Sequence, residues 1–155
     1  MSSINSKLNQ QAACTLVSPS KDYLSVLQLL RSTPYDNLEV SGKEESWQSI
    51  RVELPSSELV FNSMIYERRA DKFSKLVNQM HVYFDQPHCG KKNDREKTLK
   101  RILATKMLIG TVGEPELSDE CCERISFLAK KLGAMVFTGN ALVEWDGSTL
   151  LERKH

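Results

Sequence analysis

"ILATKMLIGTVGEP", residues 102–115, is a long run rich in Ile, Leu, Thr and Val. Gly110, Gly113 and Pro115 disfavour a helix there, and glycines inside an apolar run mark a bend or a close backbone approach. The run reads as a central strand with a kink. The fold then follows from what can pack against it.

Downstream, "ELSDECCERISFLAKKLG" (116–133) is an amphipathic helix. Ser118 caps it, Asp119 and Glu120 sit at its positive end, Lys130 and Lys131 at its negative end, and Gly133 stops it. Cys121, Ile125, Leu128 and Leu132 follow the spacing of an inward stripe. Beyond it, Gly139-Asn140 and Asp146-Gly147 separate three short apolar runs, the pattern of consecutive hairpins.

Upstream, "HCGKKNDREKTLKR" (88–101) reads as a charged linker, and "ADKFSKLVNQMHVYFDQP" (70–87) as a helix with Phe73, Leu76, Val77, Met80 and Phe84 on one stripe. "ELVFNSMIYERR" (58–69) suits a strand, paired as a hairpin with the alternating Ile50, Val52 and Leu54. A polar loop around 42–46 precedes that strand. "SKDYLSVLQLLRS" (20–32) is a helix capped by Ser20, and residues 1–18, rich in Ser, Asn and Gln, read as a flexible arm. The expected organisation is that arm followed by a single domain, 19–155, in the order α, β, β, α, β, α, β, β, β. The fold class is α+β, a mostly antiparallel mixed sheet with about three helices packed largely on one face.

Composition bounds the function. The chain has 155 residues, 40% of them hydrophobic and 26% charged, as in one globular domain. With 21 basic and 20 acidic residues the net charge is +1, so nucleic acid is not an expected partner. No apolar run approaches the roughly 18 residues of a spanning helix, so no membrane partner is expected. Ala12-Ala13-Cys14 follows "SINSKLNQQ", which lacks a signal's apolar core, and the expected location is cytoplasmic. Four cysteines read as thiols there.

Candidate chemistry concentrates in a few places. Cys121, in the first turn of its helix, could be activated by the dipole, although Glu120 and Glu123 oppose a thiolate and the inward stripe favours packing. Glu114 and Glu116 crowd the end of the central strand, where Arg68 could approach if the strands pair. That set is the enzyme alternative, a carboxylate/arginine or thiol site, and no His, Ser or Gly-rich loop completes it. His81, His88 and Cys89 lack metal-ligand spacing, so no metal or cofactor is expected. Lys91, Lys92, Arg95, Lys97, Lys100 and Arg101 have no aromatic residue among them and read as a solvated face. Trp145, just before a hairpin turn, and Trp47 are candidate partner contacts.

The stretches "LVFNSMIYERRADKFSKLVNQMHVYF" and "VGEPELSDECCERISFLAKKLGAMVFTGNALVEWDG" together resemble small bacterial α+β protein families of unknown function. The resemblance covers about half of the chain and implies the fold class. It assigns no activity and no residue role. The expected function is therefore a non-catalytic module that binds another protein or itself through the terminal hairpin or a sheet edge; the alternative is a small-molecule-binding protein or enzyme.

Overall fold

The computed structural model of the chain describes residues 4–9, 11–65 and 70–153. Its elements are α1 (Ile4–Leu8), β1 (Ala13–Ser18), α2 (Tyr23–Arg31), β2 (Asn37–Ser41), β3 (Ser49–Glu53), β4 (Glu58–Ile65), α3 (Ala70–Phe84), α4 (Lys92–Leu103), β5 (Met107–Glu114), α5 (Asp119–Leu132), β6 (Met135–Phe137), β7 (Ala141–Val143) and β8 (Thr149–Glu152). The strands form one sheet in the order β2-β3-β4-β5-β1-β6-β7-β8. Every pairing is antiparallel, so the expected mixture of directions is absent from it.

Strict alternation along the strands decides which residues meet which layer. On the first face Leu16, Phe61, Ile109, Val136 and Val143 join the inner sides of α1, α2 and α5 in one apolar cluster. On the second face Val17, Leu108, Met135 and Leu142 join Phe73, Val77, Met80 and Phe84 of α3 and Leu99 and Ile102 of α4. The sheet is thus covered by helices on both faces, not largely on one. The second layer is α3 together with α4, a helix where the sequence suggested a charged linker: only Thr98, Leu99 and Ile102 of α4 are buried, and most of its other residues are charged.

The largest departure from expectation is the N-terminus. Residues 13–18 are an interior strand between β5 and β6, with Leu16 opposite Ile109 and Val136. Ile4 and Leu8 are fully buried against the first-face core. Two local corrections accompany it. Asp22, not Ser20, caps α2 by accepting from Ser25 N at 3.0 Å. Arg124, buried on α5, donates from Nη2 to Pro34 O at 2.5 Å and so ties the α2–β2 loop to α5, leaving its Nε without a partner.

Because Leu16 fills a fully buried site between two strands, Leu16→Ala is expected to cost about 2–5 kcal/mol, the range for large-to-small core substitutions. Urea unfolding read by circular dichroism checks this. A flexible arm would give a change near zero.

Candidate functional site

The registers place side chains of the second face in rows running across the strands. Met64, Leu108, Val17 and Met135 form one row, packed beneath α3. The next is Ser49, Asn62, Gly110, Thr15 and Phe137, and beyond it lie Glu39, Arg51, Val60, Val112 and Ala13. The last is Asn37, Glu53, Glu58 and Glu114. Among the described residues α3 reaches the last three rows over β2 to β1 only at Thr15. Asn62, Arg51 and Ala13 are exposed there, and Val60, Val112, Gly110 and Thr15 are half-buried.

Where α3 lifts from this open floor, a crevice of about 250 Å³ forms. It is lined by Thr15, Leu108 and Phe137 from the sheet and by Leu76, Gln79, Met80 and Tyr83 from the helix. Leu76, expected on the buried stripe, is 38% exposed because it sits at this mouth. Tyr83 is held on its other side by Arg153, whose guanidinium lies 4.5 Å from the ring. Among the described residues no carboxylate or ammonium lines the crevice; its walls are mostly apolar, with Thr15, Gln79 and Tyr83 as polar groups, which suits an apolar side chain.

Two features of the open face work against the fold. Glu53, Glu58 and Glu114 stand directly opposite one another on three adjacent strands, where like charges destabilise a sheet. Arg51 Nε meets Glu58 Oε1 at 3.1 Å, and no ion pair to Glu53 or Glu114 forms among the described residues. The second feature is Gly110. A Cβ built there would meet only Asn62 O, at 3.9 Å, so the protein's own packing does not require a glycine. Gly113 is the contrast, since its Cβ would lie 2.5 Å from Glu116 O in the turn after β5.

The residues singled out from sequence are dispersed. Glu114 ends β5 in the acidic row, and Glu116 is exposed in the following turn. Arg68 lies outside the described residues. Trp47, a candidate partner contact, is instead fully buried: its Nε1 donates to Tyr23 O at 2.8 Å and its ring meets Tyr23 edge-on. Trp145 is 37% exposed, with Lys130 Nζ 4.5 Å above its ring and its carbonyl accepting from Ser126 Oγ. It stands on the β7–β8 loop beside α5, away from the open rows of β2 to β5. Among the described residues no group of three or more His, Cys, Asp or Glu could hold a metal ion.

Cys121 and Cys122 are both fully buried in the first-face core. Ser118 Oγ accepts from Cys121 N at 3.3 Å as the helix cap and lies 2.9 Å from Ser57 Oγ. Burial, reinforced by Cys121, Asp119 and Glu123, pushes the Cys122 thiol up to about 11. Burial also raises Cys14, with Cys122 and Cys121 adding to the effect. Thiols so placed stay protonated at neutral pH and are poor nucleophiles.

Against this geometry, the chain matches no family model, no curated protein and no solved structure. Sequence reasoning missed Thr15, Val60, Leu76 and Gly110 as surface residues. The usable signals were Gly110 inside an apolar run and the glutamates, Glu53 and Glu58, that flank the β3–β4 turn.

Two measurements check this picture. Gly110→Ala is expected to leave stability unchanged or raise it by about 0.5–1 kcal/mol. Gly113→Ala is expected to lower it by about 1–3 kcal/mol through the clash with the turn; chemical denaturation of both variants reads the contrast. With a thiol-specific disulfide reagent at pH 8, none of the four buried cysteines should label before the protein unfolds. All should label in denaturant.

Proposed function

We propose that the protein is a non-catalytic binding module that receives a segment of another polypeptide on the open half of its second sheet face. The observation that carries this reading is the half-buried apolar floor of Val60, Val112 and Gly110, continuous with the crevice under α3. Small-molecule sites commonly enclose about 300–1,000 Å³. A crevice of about 250 Å³ that opens onto a flat sheet suits one or two side chains of a larger partner better.

Gly110 supports the same reading, because a strand glycine without a steric reason inside the fold leaves room for a foreign backbone to approach. The alternative docking element is the outer edge of β2, which offers unpaired backbone groups. Its central residue is Glu39, and a charge on an edge strand is a common guard against pairing with another strand. The face is therefore the better-prepared surface. Trp145, pinned by Lys130, is left as a separate exposed aromatic outside it.

A random 12-residue peptide library, panned against the protein, tests the proposal. Bound peptides are expected to shift the amide resonances of Thr15, Val60, Asn62 and Gly110. Gly110→Leu and Leu76→Asp should each abolish binding while leaving the melting temperature within a few degrees. A library that yields nothing tighter than about 1 mM, or binders that footprint elsewhere, overturns it.

A further inference from the structure

We infer that the segment received on the open face is basic, carrying two or three Lys or Arg residues at one end and an apolar anchor at the other. This rests on the docking reading above and adds the chemistry of the partner. The floor is electrically graded along the strands. At one end stand Glu39, Glu53, Glu58 and Glu114 with Arg51 as their counter-charge, a local surplus of three negative charges (4 acidic less 1 basic) in a chain whose net charge is +1. At the other end lies the crevice of Leu76, Met80 and Phe137, which no charged side chain lines among the described residues.

The glutamate row is costly for the isolated chain. Three carboxylates opposite one another on neighbouring strands repel, and the single arginine among them is engaged with Glu58. A cationic segment laid across the row relieves that repulsion, whereas a nucleic-acid backbone or an acidic segment increases it.

The same charges disfavour a second copy seated floor to floor. A two-fold axis along the strands would set the glutamate rows against each other, and one across the strands would set each row against the partner's uncharged crevice, so neither supplies a counter-charge. A copy could instead offer the exposed Lys92, Lys97 and Lys100 of α4, which packs on the same face of the sheet. Head-to-tail that contact makes a ring or an open chain, and a reciprocal closed pair is the dimer that light scattering would detect. A different polypeptide satisfies both the row and the crevice without self-association, and it is the occupant inferred.

The spacing is also set. Glu58 and Asn62 lie four residues apart on β4, so the acidic row and the row at the crevice mouth are separated by ~13 Å at the usual rise of a strand. The partner's basic cluster and its apolar anchor therefore stand about four residues apart if it is extended, or about nine if it is helical.

Two synthetic 12-residue peptides with the same leucine-phenylalanine anchor, one bearing three lysines and the other three glutamates at that spacing, decide the matter. At low ionic strength the lysine peptide is expected to bind about 10-fold tighter, the combined worth of a few exposed ion pairs, and the difference should shrink at 1 M salt, where the screening length is about 3 Å. In Glu53→Gln/Glu114→Gln, which keeps the Arg51–Glu58 pair, the preference should fall several-fold while the melting temperature holds or rises. Equal binding of the two peptides, with amide shifts still on the open face, overturns the basic-partner inference and leaves the docking reading standing. A preference for the glutamate peptide, or a concentration-dependent dimer by light scattering that excludes the lysine peptide, overturns it as well. If neither peptide binds and the random library also yields none, the docking reading itself fails.

Discussion

The structure turns on how β5 is covered. Met107, Leu108 and Ile109 are buried on alternating sides of the strand, so at this end both faces of the sheet must be closed by helices. From Gly110 onward only Thr111 and Gly113, which point to the first face, are buried, while Val112 is half-buried and Glu114 is exposed on the second. One strand therefore passes from a dry environment to a wet one within eight residues. The change coincides with the boundary of α3. Every neighbour in register with β5 inherits it: Val17 is buried and Ala13 exposed on β1, and on β4 the half-buried Met64 packs beneath α3 while Glu58 lies in the open acidic row.

That arrangement also sets the state of the thiols. The first face, closed by α1, α2 and α5, takes up Cys14, Cys121 and Cys122, and burial holds Cys14 and Cys122 protonated. Ser57, Ser118 and Glu120 gather at the start of α5, where they hydrogen-bond one another, Ser118 caps the helix, and both serines also reach the Cys121 sulfur. The polar groups nearest to these thiols thus finish a helix end.

Elements with a dense apolar period were legible in the sequence: α3 and α5 from their stripes, β3 from alternation, and the interior position of β5 from its composition. β2 was missed because its alternation rests on Leu38 and Val40 alone, with Glu39 between them and Asn37 and Ser41 on either side, as suits an edge strand. β1 was missed because "ACTLVS" is short and follows a polar stretch; it becomes a strand through pairing on both sides with β5 and β6, which is a tertiary cause. α4 buries too few side chains to show a clear stripe, and its place follows from the second face of the sheet needing a cover. The candidate site was less legible than the fold. Glu114 was singled out, but for a partnership with an arginine. Its actual neighbour in register is Glu58, and that depends on strand order, which no local pattern encodes.

The two features that oppose folding, a strand glycine with room for a side chain and a row of facing glutamates, lie on the same side of the same sheet. Either alone could be a tolerated imperfection of about 1 kcal/mol or less. Their coincidence with the half of that face which α3 leaves open is harder to attribute to folding, since the covered half shows neither feature: Leu108, Val17, Met135 and Leu142 are apolar and packed. Local departures from what stability favours are expected where a surface has another task. The open floor is where this chain departs from that rule, and a partner that supplies apolar contact at one end and positive charge at the other offsets both costs at once.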